Sequence, residues 1–234
     1  MRQSNDNRHN THNKSTEIEY EKYFPFWKHL SDSEKEVLRI NTRTVRFLKS
    51  ENIHNGGSDC IGMLLVKKGN LRTYMLSEDG REITLYRIFE GEVCILSASC
   101  VLKSITFDVF IDAEEDSEVM LISAPAISGL MESNVYVECF AYKLTAARFS
   151  NVMWAMQQIL FMSFDRRLAL FLYEELKKTD GDTVFLTHEQ VAKYMGSARE
   201  VVTRMLKYFV SEGIAELSRG GIRIIDMEKL QRLI

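Results

Sequence analysis

The sequence has no apolar stretch long enough to cross a lipid bilayer. None of its runs approaches the roughly 18 consecutive apolar residues of a membrane-spanning helix, and its first residues lack an apolar signal stretch. Its four cysteines are scattered, without a CxxC pair or the spacing of metal ligands. These absences predict a cytoplasmic protein with reduced thiols, no metal site and no membrane partner.

The chain also lacks a strong charge of either sign. Lys and Arg number 30 and Asp and Glu 33, which gives a formal net charge of -3. A protein that reads DNA sequence needs only a local basic face, so this balance does not exclude DNA. The length of 234 residues and the apolar content of 45% suit two modest domains. Residues 1–16 have no apolar periodicity, and we expect a disordered tail there.

Residues 17–130 have the pattern of a small β domain. A helix is expected to begin at Ser31, because Glu34 follows three residues later as in a capping box. Short β-branched and apolar runs then alternate with turn signals at about ten-residue spacing, which predicts an antiparallel β-roll. The predicted strands are Ile61–Val66, Leu71–Leu76, Ile83–Ile88, Phe107–Ile111 and Val119–Ile122.

A long helix is predicted next, within residues 131–162. Pro125 opens the helical region at a favoured first-turn position, and no Gly or Pro interrupts Asn134–Leu160. Apolar residues cover more than one face of this stretch, so it must bury two stripes. One stripe can face the roll, and the other is most simply covered by the same helix of a second subunit, in an imperfect heptad with Asn151 and Gln158 on the seam. The alternative is a central helix within a monomer.

Residues 163–234 carry a helix-turn-helix pattern. Thr187 and Gln190 form a capping-box pattern before a short helix, and Gly196 breaks that helix. A second capping box, Ser197 to Glu200, is expected to open a helix that Gly213 ends. Two short strands around a basic Gly turn then predict a wing.

The second of these helices has a basic outer face. Arg can bond bidentately to guanine and Glu can accept from the cytosine amino group, so we predict base reading by this face. The predicted base-reading residues are Arg199, Glu200, Thr203 and Arg204. The predicted contacts to the DNA backbone are Thr187, Gln190, Lys193, Ser197, Lys207 and, from the wing, Arg219.

The segment Leu186–Arg204, LTHEQVAKYMGSAREVVTR, closely resembles the winged helix-turn-helix of the Crp/Fnr family of bacterial transcription regulators. The resemblance implies an α+β fold: an antiparallel β-roll (a double-stranded β-helix like that of cyclic-nucleotide-binding domains), a long dimerisation helix and a winged helix-turn-helix. It also implies a homodimer on a palindromic operator and contact with RNA polymerase. In that family the positions of Arg199, Glu200 and Arg204 read bases.

The sensor half departs from the family's cyclic-nucleotide-binding members. Where their Arg-Ser pair would bind the cyclic phosphate, the sequence reads Ile105-Thr106-Phe107, and Lys103 is the only nearby cation. Burying a phosphate without its Arg is costly, so we predict that cyclic AMP is not the effector. The N-terminus also lacks the cysteine group of iron–sulfur members, and no haem ligand pair is evident, so no cofactor is identified.

An unknown small effector is the leading prediction for the sensor. Its pocket is predicted from Tyr86, Cys94, Ser97, Ser99, Cys100, Tyr142 and Thr145. Two alternatives stay open: redox sensing by Cys94 and Cys100, and a cyclic-nucleotide-binding regulatory module without DNA function. No nucleophile–base motif, metal cluster or phosphate loop indicates an enzyme.

Overall fold

A computed structural model describes residues 20–56, 61–95, 108–179 and 181–234. The predicted tail, residues 1–16, lies outside this part of the chain. The described residues up to Thr73 and those of Arg87–Phe149 form one compact unit, and Tyr74–Tyr86 with Ser150–Ile234 form another. The predicted boundaries at residues 130 and 162 divide the chain by function and stay a prediction.

The N-terminal half is built from short strands and helices, and a short 3-10 helix (Trp27–His29) precedes the elements named next. Its elements are α1 (Asp32–Ile40), β1 (Thr42–Phe47), β2 (Asn52–Asn55), β3 (Met63–Lys68), β4 (Leu71–Leu76), β5 (Glu82–Ile88), β6 (Val93–Cys94), β7 (Phe110–Ala113), β8 (Ser117–Ile122) and α2 (Ala124–Ser133). The capping box of α1 is confirmed. The Ser31 amide donates to Glu34 Oε2 at 2.7 Å, and the Glu34 amide donates to Ser31 Oγ at 3.4 Å.

The strands form two four-stranded sheets. One has the order β1-β8-β3-β6 and the other β2-β7-β4-β5, so strands distant in sequence are neighbours. Strand β8 is central in the first sheet and pairs antiparallel with both β1 and β3. An aromatic group of Tyr20, Phe24 and Trp27 is buried in the core of this unit. The predicted mixed fold with an N-terminal β domain is confirmed, although β1, β2 and β6 were not predicted.

The long helix α3 extends over Val135–Phe161, within a residue of the predicted stretch. Pro125 lies in the first turn of α2, as predicted. Helix α3 buries few of its 27 residues, among them Val137 and Ala141, and leaves many large apolar side chains exposed. One apolar face of α3 therefore has no cover from the rest of the described chain.

The C-terminal elements are α4 (Phe164–Leu176), β9 (Thr183–Val184), α5 (His188–Met195), α6 (Arg199–Ser211), β10 (Ala215–Ser218), β11 (Gly221–Ile224) and α7 (Met227–Leu233). The order β10-β11-β9 makes a small antiparallel sheet, and the turn between β10 and β11 is the predicted wing. Leu172, Val202, Leu206 and Phe209 are fully buried in the core of this unit. Strand β9 and helix α7 were not predicted.

Candidate nucleic-acid interface

Helix α5 begins with the predicted capping box. The Gln190 amide donates to Thr187 Oγ1 at 3.2 Å, and the Thr187 amide donates to Gln190 Oε1 at 2.8 Å. The Thr187 hydroxyl also donates to Gln190 Oε1 at 3.0 Å. Thr187 and Gln190, which we predicted to contact DNA phosphates, thus hydrogen-bond to each other at the start of the helix. These bonds fix the direction of the N-terminal amides of α5.

A three-residue turn joins α5 to α6. Gly196 ends α5 in the left-handed conformation, with φ 60° and ψ 41°, which glycine adopts without steric cost. The predicted capping box from Ser197 to Glu200 is wrong. Ala198, not Ser197, is the extended residue before the first turn of α6, and its methyl group cannot accept a hydrogen bond. The register lies one residue later than predicted, so Arg199 is the first residue of α6.

Packing between α5 and α6 matches the helix-turn-helix prediction. Ala192 is buried on α5 and Val202 is fully buried on α6, where the two helices meet. Val191 and Leu206 complete the apolar contact on the same inner side. Because these residues fill the inner face of α6, its charged residues are left on the outer face.

The outer face of α6 brings five predicted residues together. Four of them, Arg199, Glu200, Arg204 and Lys207, are exposed, and Thr203 is half-buried. All five line one depression of about 460 Å³. It presents three cationic side chains and a single carboxylate, a local basic surface on a chain of net negative charge.

His188 is a member of this surface that sequence reasoning missed. It is the first residue of α5, and its Nδ1 lies 2.9 Å from the Thr203 hydroxyl of α6. Burial lowers the pKa of His188 below its ordinary 6.5, and the charge of Arg199 lowers it further. The contact joins residues 15 positions apart on two helices, so no short-range pattern could have indicated it.

The other predicted phosphate contacts are dispersed. Lys193, near the end of α5, forms an ion pair with Glu82 of β5 at 2.9 Å. Ser197 is half-buried in the turn, and Arg219 is exposed at the turn of the wing. Their roles at DNA stay predictions.

Comparison with known proteins shows the family of the chain. The sequence model of the Crp-like helix-turn-helix domain matches residues 166–233. A Crp/Fnr-family transcriptional regulator from Eubacterium rectale has 47% sequence identity to this chain, and the alignment covers 90% of this chain and 98% of that one, with a TM-score of 0.87. This chain belongs to the Crp/Fnr family. It is therefore a transcription regulator with a DNA-binding helix-turn-helix, as predicted.

This Crp/Fnr regulator also has more distant similarities. The transcriptional regulatory protein Btr of Bordetella pertussis is 26% identical over 177 residues, which is 72% of each chain. The structure of CLP from Xanthomonas campestris, a c-di-GMP-responsive global regulator, is 17% identical, covers 84% of this chain and all of its own, and has a TM-score of 0.70. The second similarity shows the fold alone.

The predicted effector residues of the Crp/Fnr regulator occupy different environments. Tyr86 and Cys94 are buried, Tyr142 is exposed on α3, and the Thr145 hydroxyl donates to the Ala141 carbonyl of the same helix at 2.9 Å. Outside the described residues lie Ser97, Ser99, Cys100 and the Ile105-Thr106-Phe107 segment. The effector pocket therefore stays a prediction.

Neither a membrane-spanning helix nor a metal cluster occurs in the part of the chain that the structure describes. No helix among them combines the length and apolarity needed to cross a membrane. Within residues 20–56, 61–95, 108–179 and 181–234, no cluster of three or more His, Cys, Asp or Glu side chains could hold a metal ion.

Proposed function

We propose that this Crp/Fnr regulator binds a palindromic operator as a homodimer and that α6 of each protomer enters the major groove. The observation that carries the proposal is the depression lined by Arg199, Glu200, Thr203, Arg204 and Lys207 on the outer face of α6. A helix fits the major groove of B-DNA, where each base pair presents a distinct pattern of donors and acceptors.

Each side chain of this face has a role that its chemistry supports. Arg199 and Arg204 can each bond bidentately to guanine O6 and N7, and Glu200 can accept from the cytosine amino group. Thr203 contributes a hydroxyl between them. Lys207, one turn further along, has the reach to bind a phosphate. The wing residue Arg219 and the α5 residues Thr187, Gln190 and Lys193, with Ser197 of the turn, are proposed to contact the DNA backbone.

The exposed face of α3 supports the homodimer. Outward-facing residues follow one another at steps of four and three along the whole helix: Val135, Cys139, Tyr142, Ala146, Phe149, Met153, Met156 and Leu160. This is the a/d spacing of a two-stranded coiled coil. The register differs from the imperfect heptad predicted from sequence and leaves Asn151 and Gln158 off the seam. Two copies of α3 packed along it would bury an otherwise exposed apolar stripe.

We also infer that the β-roll senses a small effector and biases the two recognition helices through α3. Full burial of Cys94 favours a ligand over direct oxidation of this thiol. Redox control remains the alternative, and contact with RNA polymerase is what the family implies. A thermal-shift screen with small organic acids, oxidants and cyclic nucleotides distinguishes a small effector from redox control. A melting temperature that rises by many degrees when cyclic AMP is added would contradict the prediction that cyclic AMP is not the effector.

Operator selection from random DNA tests the base-reading surface. The wild-type protein is expected to select a palindrome at low salt, and Arg199→Ala to lose preference at one position of each half-site, at a cost of about 1–3 kcal/mol for the specific site. Arg232→Ala, on the exposed side of α7, is the matched control and should select the wild-type palindrome. An unchanged preference in Arg199→Ala would contradict the assignment of the surface.

A further inference from the structure

The contact between His188 and Thr203 joins the first residue of α5 to the centre of the proposed base-reading face. His188 Nδ1 and Thr203 Oγ1 are 2.9 Å apart, a good hydrogen-bond distance, and both residues are partly buried. Thr203 also lines the depression on α6. The Thr203 side chain therefore contacts the titratable ring of His188 on one side. On the other side it faces the proposed DNA site.

The protonation state of the His188 ring affects whether the Thr203 hydroxyl offers DNA a donor or an acceptor. A hydroxyl has one proton, which it can give to one neighbour only, whereas a neutral imidazole has one accepting and one donating nitrogen. When Nδ1 of the neutral ring accepts, the Thr203 proton points at His188 and the oxygen lone pairs remain for DNA. When the ring is charged, both nitrogens donate, so Thr203 must accept from His188 and its proton turns outward.

We propose that His188 is a specificity-determining positioning residue, which fixes whether Thr203 offers an acceptor or a donor to the base it faces. The proposal rests on the proposed function, since it requires that Thr203 faces a base. With a neutral ring that carries its proton on Nε2, so that Nδ1 accepts, Thr203 selects bases that display an amino group in the major groove, adenine or cytosine. With a charged ring, it selects the acceptors of guanine or thymine.

The surroundings of His188 favour the neutral ring at neutral pH. The charged residue that acts on it from α6 is Arg199, and Glu189 is its charged neighbour on α5. Burial and Arg199 together hold the pKa of His188 below 6.5. A neutral ring is thus the working state at pH 7.5, where its Nε2-protonated tautomer makes Thr203 an acceptor for DNA, and the donor form of Thr203 is reached on acidification.

Operator selection at two pH values tests the proposal with the full-length protein. Wild type at pH 7.5 is expected to prefer adenine or cytosine at one position of each half-site, and to shift toward guanine or thymine by about threefold to tenfold, the range of one neutral hydrogen bond, at an acidic pH where the NMR shifts of the His188 ring protons show that the ring is charged. Thr203→Ser keeps the hydroxyl and should keep the shift. Thr203→Val should lose both the preference at that position and its pH dependence.

Two histidine variants complete the design. His188→Gln cannot titrate and should show one preference at both pH values, while His29→Gln, in the first unit, should behave as wild type. If wild type selects a sharp operator whose bases do not change with pH, or if His188→Gln retains the shift, the role of His188 is wrong and the proposed function stands. If wild type selects no sequence at all, the proposed function fails instead.

Discussion

At the scale of single residues, the side chain of Thr187 stabilises the start of α5 even in the absence of DNA. Its hydroxyl accepts from the Gln190 amide and donates to Gln190 Oε1, so it satisfies a backbone donor at the start of α5. We expect Thr187→Ala to lower the free energy of unfolding by about 1 kcal/mol, the usual cost of losing an N-cap. Chemical denaturation measures this loss.

The conservative replacement separates capping from DNA contact. Thr187→Ser keeps a hydroxyl that can accept from the Gln190 amide, so it should unfold within a few tenths of a kcal/mol of wild type. A Thr187→Ala protein as stable as wild type, but weaker in DNA binding, would show that the hydroxyl acts on phosphate rather than on the helix.

Residue-level prediction succeeded where the pattern is local. The capping boxes of α1 and α5 and the left-handed Gly196 depend on four or five neighbouring residues, so the sequence contains the whole signal. The predicted box at Ser197 failed because two adjacent small residues can each precede a helix, and the backbone placed Ala198 there. The pairing of His188 with Thr203 arises only when two helices pack.

At the scale of elements, length and periodicity decided what could be predicted. Helix α3 has 27 residues without a helix breaker, and its bounds were predicted closely. Strands β6 and β9 have two residues each, too few to show alternation, and exist only because a neighbouring strand pairs with them. The proposed seam of α3 differs from the seam predicted from sequence because a second apolar face hides the four-and-three spacing until burial is known.

The seam proposed for α3 gives a prediction about assembly. Phe149 lies at its centre and is 64% exposed in the single chain. Phe149→Glu would place two carboxylates opposite each other in the coiled coil, which should weaken self-association by about 3 kcal/mol or more, roughly a hundredfold in the dissociation constant. Sedimentation equilibrium measures the change.

A neighbouring substitution controls for helix disruption by charge. Asn151→Glu puts the same residue two positions away and off the seam, and the protein should remain dimeric. Equal loss of the dimer in both variants, or in neither, would mean that α3 pairs along another face or does not pair at all.

At the scale of the whole molecule, the ion pair of Lys193 joins segments 111 residues apart in the sequence. Glu82 Oε1 holds Lys193 Nζ at 2.9 Å, and the Thr84 hydroxyl donates to the Lys193 carbonyl at 3.4 Å. A Cβ built on Gly196 would lie 3.0 Å from Ile83 Cγ1, so β5 lies directly against the turn of the helix-turn-helix. If Lys193 contacts a phosphate as proposed, DNA must compete with Glu82 for it.

This competition predicts the salt dependence of DNA binding. Glu82→Gln removes the carboxylate that competes for Lys193, so its complex with the operator should be tighter than that of wild type at low salt, while the slope of log K against log salt should stay unchanged because Lys193 contacts its phosphate in both complexes. Glu78→Gln, in the turn between β4 and β5, is the control and should leave both the affinity and the slope unchanged. Adding Lys193→Gln to Glu82→Gln should remove the gain in affinity and make the slope shallower by about one. Weaker binding by Glu82→Gln would instead mean that the ion pair holds α5 in the orientation that DNA requires, and the contact with β5 would then support recognition rather than oppose it.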